Sequence, residues 1–197
     1  QRVMEWAWKQ GHILLFFPDQ HLGRNTAKAM GVLPEEMKVW YPSKDDGGID
    51  SLNNVRLLLW NGHCPVHMKF SERDVRFVRK NFPGARVVVH PECPEEVVQL
   101  ADAVGSTEYI VKYVAGLEAK TKVFIATEIN LIERLKREYP QIRVEFLTRS
   151  LCPTMYMVDL EKLLFTLENL PDDQVVPMPA EIRDPARLSL ERMLALA

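Results

Sequence analysis

The sequence predicts an α/β fold of repeated three-layer α/β modules with parallel sheets, followed by C-terminal helices. Three observations carry this. Strand-like and helix-like segments alternate almost from end to end. The strand candidates are continuous apolar or β-branched runs such as RVVVH and KVFIA, the pattern of strands covered on both faces. Nearly every strand candidate ends in polar, chemically capable residues, and in open α/β sheets ligands bind beyond the carboxyl ends of the strands.

Taken in order, strands are expected at residues 12–17 (HILLFF), 38–41, 55–60, 86–90, 102–104, 122–126 and 143–147. Helices are expected at 25–30, 72–81, 95–100, 108–114 and 129–139; in the last, Ile129, Ile132, Leu135 and Lys136 fall close to one helical face. Ser71 supplies the N-cap of the helix at 72. The tail differs. Asp159 caps an amphipathic helix with apolar residues at 160, 163, 164 and 167, a Pro-broken extended piece covers 175–179, and Asp184-Pro185 predicts the cap and first position of a final helix. The expected organisation is therefore an α/β module at 1–69, incomplete at its N-terminus, a second α/β module at 70–150, and a loop with C-terminal helices at 151–197. The opening at Gln1, in what reads as mid-helix, predicts the C-terminal part of a longer protein.

Composition bounds the function. The 197 residues are 47% hydrophobic and 26% charged, ordinary for a globular chain, and a net charge of -2 gives no electrostatic reason to bind nucleic acid or an anionic membrane. No apolar run approaches the roughly 20 residues that span a bilayer. The start, QRVMEWAWKQGH, is amphipathic and shows no small-residue cleavage site, and three irregularly spaced cysteines argue against a disulfide framework; a cytoplasmic location is expected.

The strand-end residues hold the chemistry. His90 and Glu92 flank Pro91 in an extended segment, so both side chains project the same way, and a histidine beside a carboxylate moves protons near neutral pH. A buried pair that merely ties two strands is the plainer reading. Ser106 and Thr107 stand where a helix begins and suit a carboxylate or phosphate, or simply form an N-cap. Thr127 and Glu128 close a strand and read as structural. Cys64 and Cys152 stand in strand-end loops, each before a proline, as do some iron–sulfur ligands. Zinc is the other metal reading, with His63 and His67 completed by Cys93 or His90, although no CxxC or HExxH occurs.

The segments NGHCPVH, VHPECPEEV, ADAVGSTEYI, IATEINLIERLK and LCPTMYMVDLEKLLFTLENL, together with FFPDQHLGRNTA, closely resemble quinolinate synthase, an iron–sulfur enzyme family of de novo NAD biosynthesis. The resemblance runs from about Ile13 to the end and implies the C-terminal two modules of a three-module, pseudo-threefold protein. It implies a transferase that condenses iminoaspartate with dihydroxyacetone phosphate to quinolinate, phosphate and water. The implied cofactor is a [4Fe–4S] cluster with one open iron, and the implied functional neighbour is L-aspartate oxidase. Within this chain it assigns Cys64 and Cys152 to the cluster, His90 and Glu92 to substrate binding and acid–base work, Ser106 and Thr107 to substrate contact, and a polar role to His67. It leaves Cys93 as a thiol near the site rather than a ligand, and it implies that the chain alone lacks one cluster ligand. Two rivals stand beside it. One is a nonenzymatic α/β ligand-binding relative without a cluster. The other is a zinc-dependent hydrolase using His63, His67 and Cys93.

Overall fold

The structure is a computed structural model that describes residues 1–11 and 13–196. By its contacts the chain divides into two compact units, residues 12–151 and a unit made of Gln1–Gly11 with Cys152–Ala197.

The first of these units holds two parallel sheets. Strands β1 (Leu14–Phe16), β2 (Met37–Trp40) and β3 (Leu57–Trp60) form one, in the order β1-β3-β2. Strands β4 (Arg86–Val89), β5 (Ala103–Val104), β6 (Lys122–Ala126) and β7 (Arg143–Phe146) form the other, in the order β5-β4-β6-β7. Every expected strand is present, most of them shortened by one to three residues at the ends; of the 12–17 strand, His12 lies outside the described residues.

Sheet alternation explains the core of the second sheet. Val87, Val89, Phe124 and Ala126 face one side, where helices α3 (Glu72–Asn81) and α4 (Glu95–Leu100) bring Val75, Val78 and Val97. Val88, Val123, Ile125 and Val144 face the other, covered by Ile110 and Val114 of α5 (Thr107–Ala115) and by Ile132 and Leu135 of α6 (Ile129–Glu138). Neighbouring residues of one strand thus point to opposite helical layers, which is why the runs are apolar throughout. Ser71 caps α3 as expected, and Asp74 returns the bond to the Ser71 N–H at 2.9 Å.

Helix α2 (Gln20–Ala29) differs from the expected 25–30 segment: it begins five residues earlier. Asp19 is its N-cap, accepting the Leu22 N–H at 2.7 Å, and this satisfies an N–H that the first turn would otherwise leave unpaired. The helix sits close on the first sheet at Gly23, where a β-carbon would lie 2.6 Å from both Leu59 Cδ2 and Phe16 Cδ1.

The other unit contains α1 (Arg2–Trp8), α7 (Leu160–Asn169) and α8 (Ala180–Leu196), with Met4 of α1 buried. Asp159 caps α7 as expected, accepting the Lys162 N–H at 2.8 Å. The final helix corrects the Asp184-Pro185 start. It opens at Ala180, with the Pro179 carbonyl accepting the N–H groups of Ile182 and Arg183, so Pro185 falls inside the helix.

Gly62, just beyond β3, supplies a test of this packing. A β-carbon there would lie 2.2 Å from the Pro18 carbonyl oxygen, a backbone atom that cannot swing aside. Gly62→Ala is expected to lower unfolding stability by about 1–3 kcal/mol in urea titrations, the range for overpacking. An unchanged midpoint would show that the Pro18 loop yields freely.

Candidate active site at the strand ends

The loops after β1, β3, β4 and β6 converge at one edge of the first-described unit. After β1, the buried Asp19 faces two ways: Oδ1 caps α2 and Oδ2 accepts the Cys64 N–H at 2.8 Å. One carboxylate thereby fixes both the helix start and the backbone of the Cys64 loop. Six residues into α2, the buried Asn25 donates from Nδ2 to the Pro91 carbonyl at 2.8 Å and to the Cys93 carbonyl at 2.9 Å. Lys28, one turn further along α2, pairs with Glu95 at the start of α4. The same helix therefore grips the loop of the first sheet and the HPEC loop of the second. A third tie comes from Ser150, whose hydroxyl donates to the Val66 carbonyl at 2.8 Å while its own carbonyl accepts the Ile129 N–H at 2.9 Å.

These restraints bring Cys64, His67 and Glu92 together, with one donor atom of each within 4.8 Å of the others. His67 lies in the short 3-10 turn His67–Lys69 and is buried. Its Nδ1 is 2.9 Å from Glu92 Oε2 without forming a well-directed hydrogen bond, so a buried ring nitrogen is held at ion-pair distance and left unsatisfied. Its Nε2 lies 3.4 Å from the buried Thr127 hydroxyl. The ring of His90 stacks on that of His67, centroids 4.5 Å apart, and His90 Nδ1 accepts the Glu92 N–H at 3.3 Å. That bond places the proton of the neutral ring on Nε2.

The electrostatics follow from burial and from this pairing. Burial, reinforced by the neighbouring His67, pulls the His90 pKa down to about 4, so the ring is neutral at physiological pH. The contact with His67 lowers Glu92 despite its desolvation, so the carboxylate stays ionised. Burial raises the Cys64 thiol, and the Glu92 charge beside it adds to this.

Of the residues expected from sequence, Cys64, His67, His90 and Glu92 gather here. Ser106 is the N-cap of α5, accepting the Tyr109 N–H at 3.3 Å, and Thr107 follows it; both are exposed. Cys152 belongs to the other unit, where its Sγ lies 3.0 Å from Thr154 Oγ1. The three-donor group corrects the set His63, His67 and Cys93 proposed for zinc. His63 is exposed, and Cys93 is fully buried in the core against the Ala126 carbonyl, with its thiol pushed far up by burial. Glu128 is the N-cap of α6, accepting the Asn130 N–H at 2.7 Å, as its structural reading expects. Thr127, read the same way, instead reaches His67. Asp19, Asn25 and Ser150 carried no distinctive sequence signal for their part beyond the strand-end position of Asp19.

Comparison with known proteins adds the family. A family model described as quinolinate synthetase A protein (NadA) matches residues 1–195. The chain is 42% identical to the quinolinate synthase of Bacillus subtilis over 100% of its own length and 55% of that protein's. It is 43% identical to that of Corynebacterium glutamicum, covering 98% of the chain and 51% of the relative, and 44% identical to that of Rhodopirellula baltica, covering 98% and 52%. The chain thus spans about half the length of the curated relatives it matches.

The Asn25 contacts can be tested directly. Asn25→Asp replaces two N–H donors by acceptors that face two carbonyls, and is expected to destabilise by about 1–3 kcal/mol in denaturant titrations. Asn25→Ala removes the same bonds without the repulsion and is expected to cost less. If the two variants unfold at the parent's midpoint, Asn25 does not hold the HPEC loop.

Proposed function

The chain belongs to the quinolinate synthetase A family, and from that membership we propose that it forms part of a quinolinate synthase. The proposed reaction condenses iminoaspartate with dihydroxyacetone phosphate, releasing phosphate and water, as a step of NAD biosynthesis that draws on the product of L-aspartate oxidase. The observation that carries this reading is the Cys64–His67–Glu92 group beside the neutral His90.

The residues present fit a metal group. A half-buried thiol, an unsatisfied buried imidazole nitrogen and a carboxylate share one small volume. A soft thiolate ligand suits an iron–sulfur centre. In this reading Cys64 and Cys152 are the ligands that this chain gives to a [4Fe–4S] cluster. When bound, the cluster supplies a Lewis-acidic iron that polarises a substrate oxygen.

The side chains divide the remaining work. Glu92, ionised at neutral pH, accepts the proton that leaves carbon or nitrogen during condensation and dehydration. His90, neutral and with its proton on Nε2, donates a hydrogen bond to a substrate carboxylate or developing oxyanion. His67 holds Glu92 in place and is itself backed by Thr127. Ser106 and Thr107, at the exposed start of α5, offer hydroxyls and N–H groups to a substrate anion.

In the intact protein, Cys64→Ala or Cys152→Ala is expected to abolish the visible absorbance of the cluster and the activity together. Full iron content in either variant would refute that ligand assignment. Glu92→Gln is expected to retain the cluster absorbance and to lower turnover by roughly 100-fold, as for loss of a general base. Normal turnover would remove Glu92 from the chemistry.

A further inference from the structure

The second sheet carries another feature at its opposite edge. Arg86 opens β4, Lys122 opens β6 and Arg143 opens β7, so these cations stand at the N-terminal ends of three adjacent strands. The strands are four or five residues long, which puts this edge roughly 13–16 Å from the His90 edge. A cavity of about 470 Å³ lies there, lined by these three residues with Lys120, Thr121 and Phe82 among others, and no carboxylate lines it.

Lys122 and Arg143 are register partners on neighbouring parallel strands, so they project from the same face about 4.8 Å apart in the pairing direction. Like charges placed so are destabilising. Among the described residues none of the four cations has a carboxylate partner. Lys122 is instead held over the Phe82 ring, Nζ 4.1 Å from its centroid, which fixes the ammonium at the cavity wall. Lys120 occupies the left-handed region, φ 69°, where glycine or asparagine is the cheaper residue, and its N–H is anchored to the Gln141 carbonyl at 2.8 Å. Arg86 projects to the other face of the sheet with Val88, near the Asp102 carboxylate, so Lys120, Lys122 and Arg143 are the cations that one anion of more than one charge can span at this cavity.

We propose that this cavity binds a diphosphate-bearing small molecule, at a site separate from the strand-end group of Cys64, His67 and Glu92. Phosphate oxygens bridge Lys122 and Arg143, which share one face of the sheet, with Lys120 closing over the second phosphoryl group.

The test is calorimetric titration of the intact protein with pyrophosphate at low ionic strength. Saturable binding is expected. The double variant Lys122→Gln/Arg143→Gln is expected to weaken it at least ~10-fold, the factor lost with a hydrogen bond to a charged group. The charge-keeping pair Lys122→Arg/Arg143→Lys is expected to restore it, and Ser106→Ala/Thr107→Ala to leave it unchanged. Should the double variant fail to fold, Lys120→Gln in the exposed loop reads the same contact and is expected to weaken binding several-fold. Absence of saturable binding, or affinity unchanged in the cavity variants, overturns the proposal. So does loss of binding in Ser106→Ala/Thr107→Ala alone, which would assign the anion to the start of α5 at the other edge.

Discussion

Helix α2 carries the constraint on which the candidate site depends. Through Asp19 it holds the Cys64 backbone at the end of the first sheet, and through Asn25 it holds the HPEC loop at the end of the second. Both side chains are buried, so each bond is made where water cannot substitute for it and its loss leaves unpaired polar groups. Two loops more than twenty residues apart in sequence are thereby set by one rigid rod, with Gly23 permitting the rod to lie close on Phe16 and Leu59. Precision at the site comes from this backbone clamping more than from contacts among the reactive groups themselves.

The reactive groups are then tuned by one another. His67 keeps Glu92 ionised, while burial, reinforced by the stacked His67, keeps His90 neutral. A carboxylate and an uncharged imidazole sharing a half-buried edge separate the roles of base and hydrogen-bond donor, because both pKa values are lowered, which leaves the acid charged and the imidazole neutral. Burial also raises the Cys64 thiol, so a metal bound there must displace a proton. The buried, unsatisfied Nδ1 of His67 sits beside that thiol and marks the part of the site where the protein's own groups do not complete each other.

Sequence legibility followed physical cause. The strands were readable because both faces are covered, which leaves continuous runs such as RVVV and KVFIA. The start of α2 was not, because its first turns carry Gln20, His21, Gly23, Arg24 and Asn25, with little apolar periodicity. Only the Asp19 cap marks that start, and a lone aspartate after a proline reads equally as a turn. The final helix was misplaced for the complementary reason: Asp184-Pro185 imitates a helix start, yet the Pro179 carbonyl already begins the helix at Ala180. The strand-end positions of His67, His90 and Glu92 were visible, but their partners were not. Thr127, Asn25 and Ser150 act through tertiary contacts 60 to 84 residues away in the chain, and local pattern carries no trace of these.

The edge formed by Cys64, His67 and Glu92 is proposed to belong to an iron–sulfur site. Metal and acid-labile sulfide analysis of the anaerobically isolated intact protein, with Mössbauer spectroscopy of the iron, tests it most directly. About four iron and four sulfide per protein are expected, with one iron distinguishable from the other three because it lacks a cysteine ligand. Stoichiometric zinc without sulfide would contradict it and would leave the same three donors as a mononuclear zinc site.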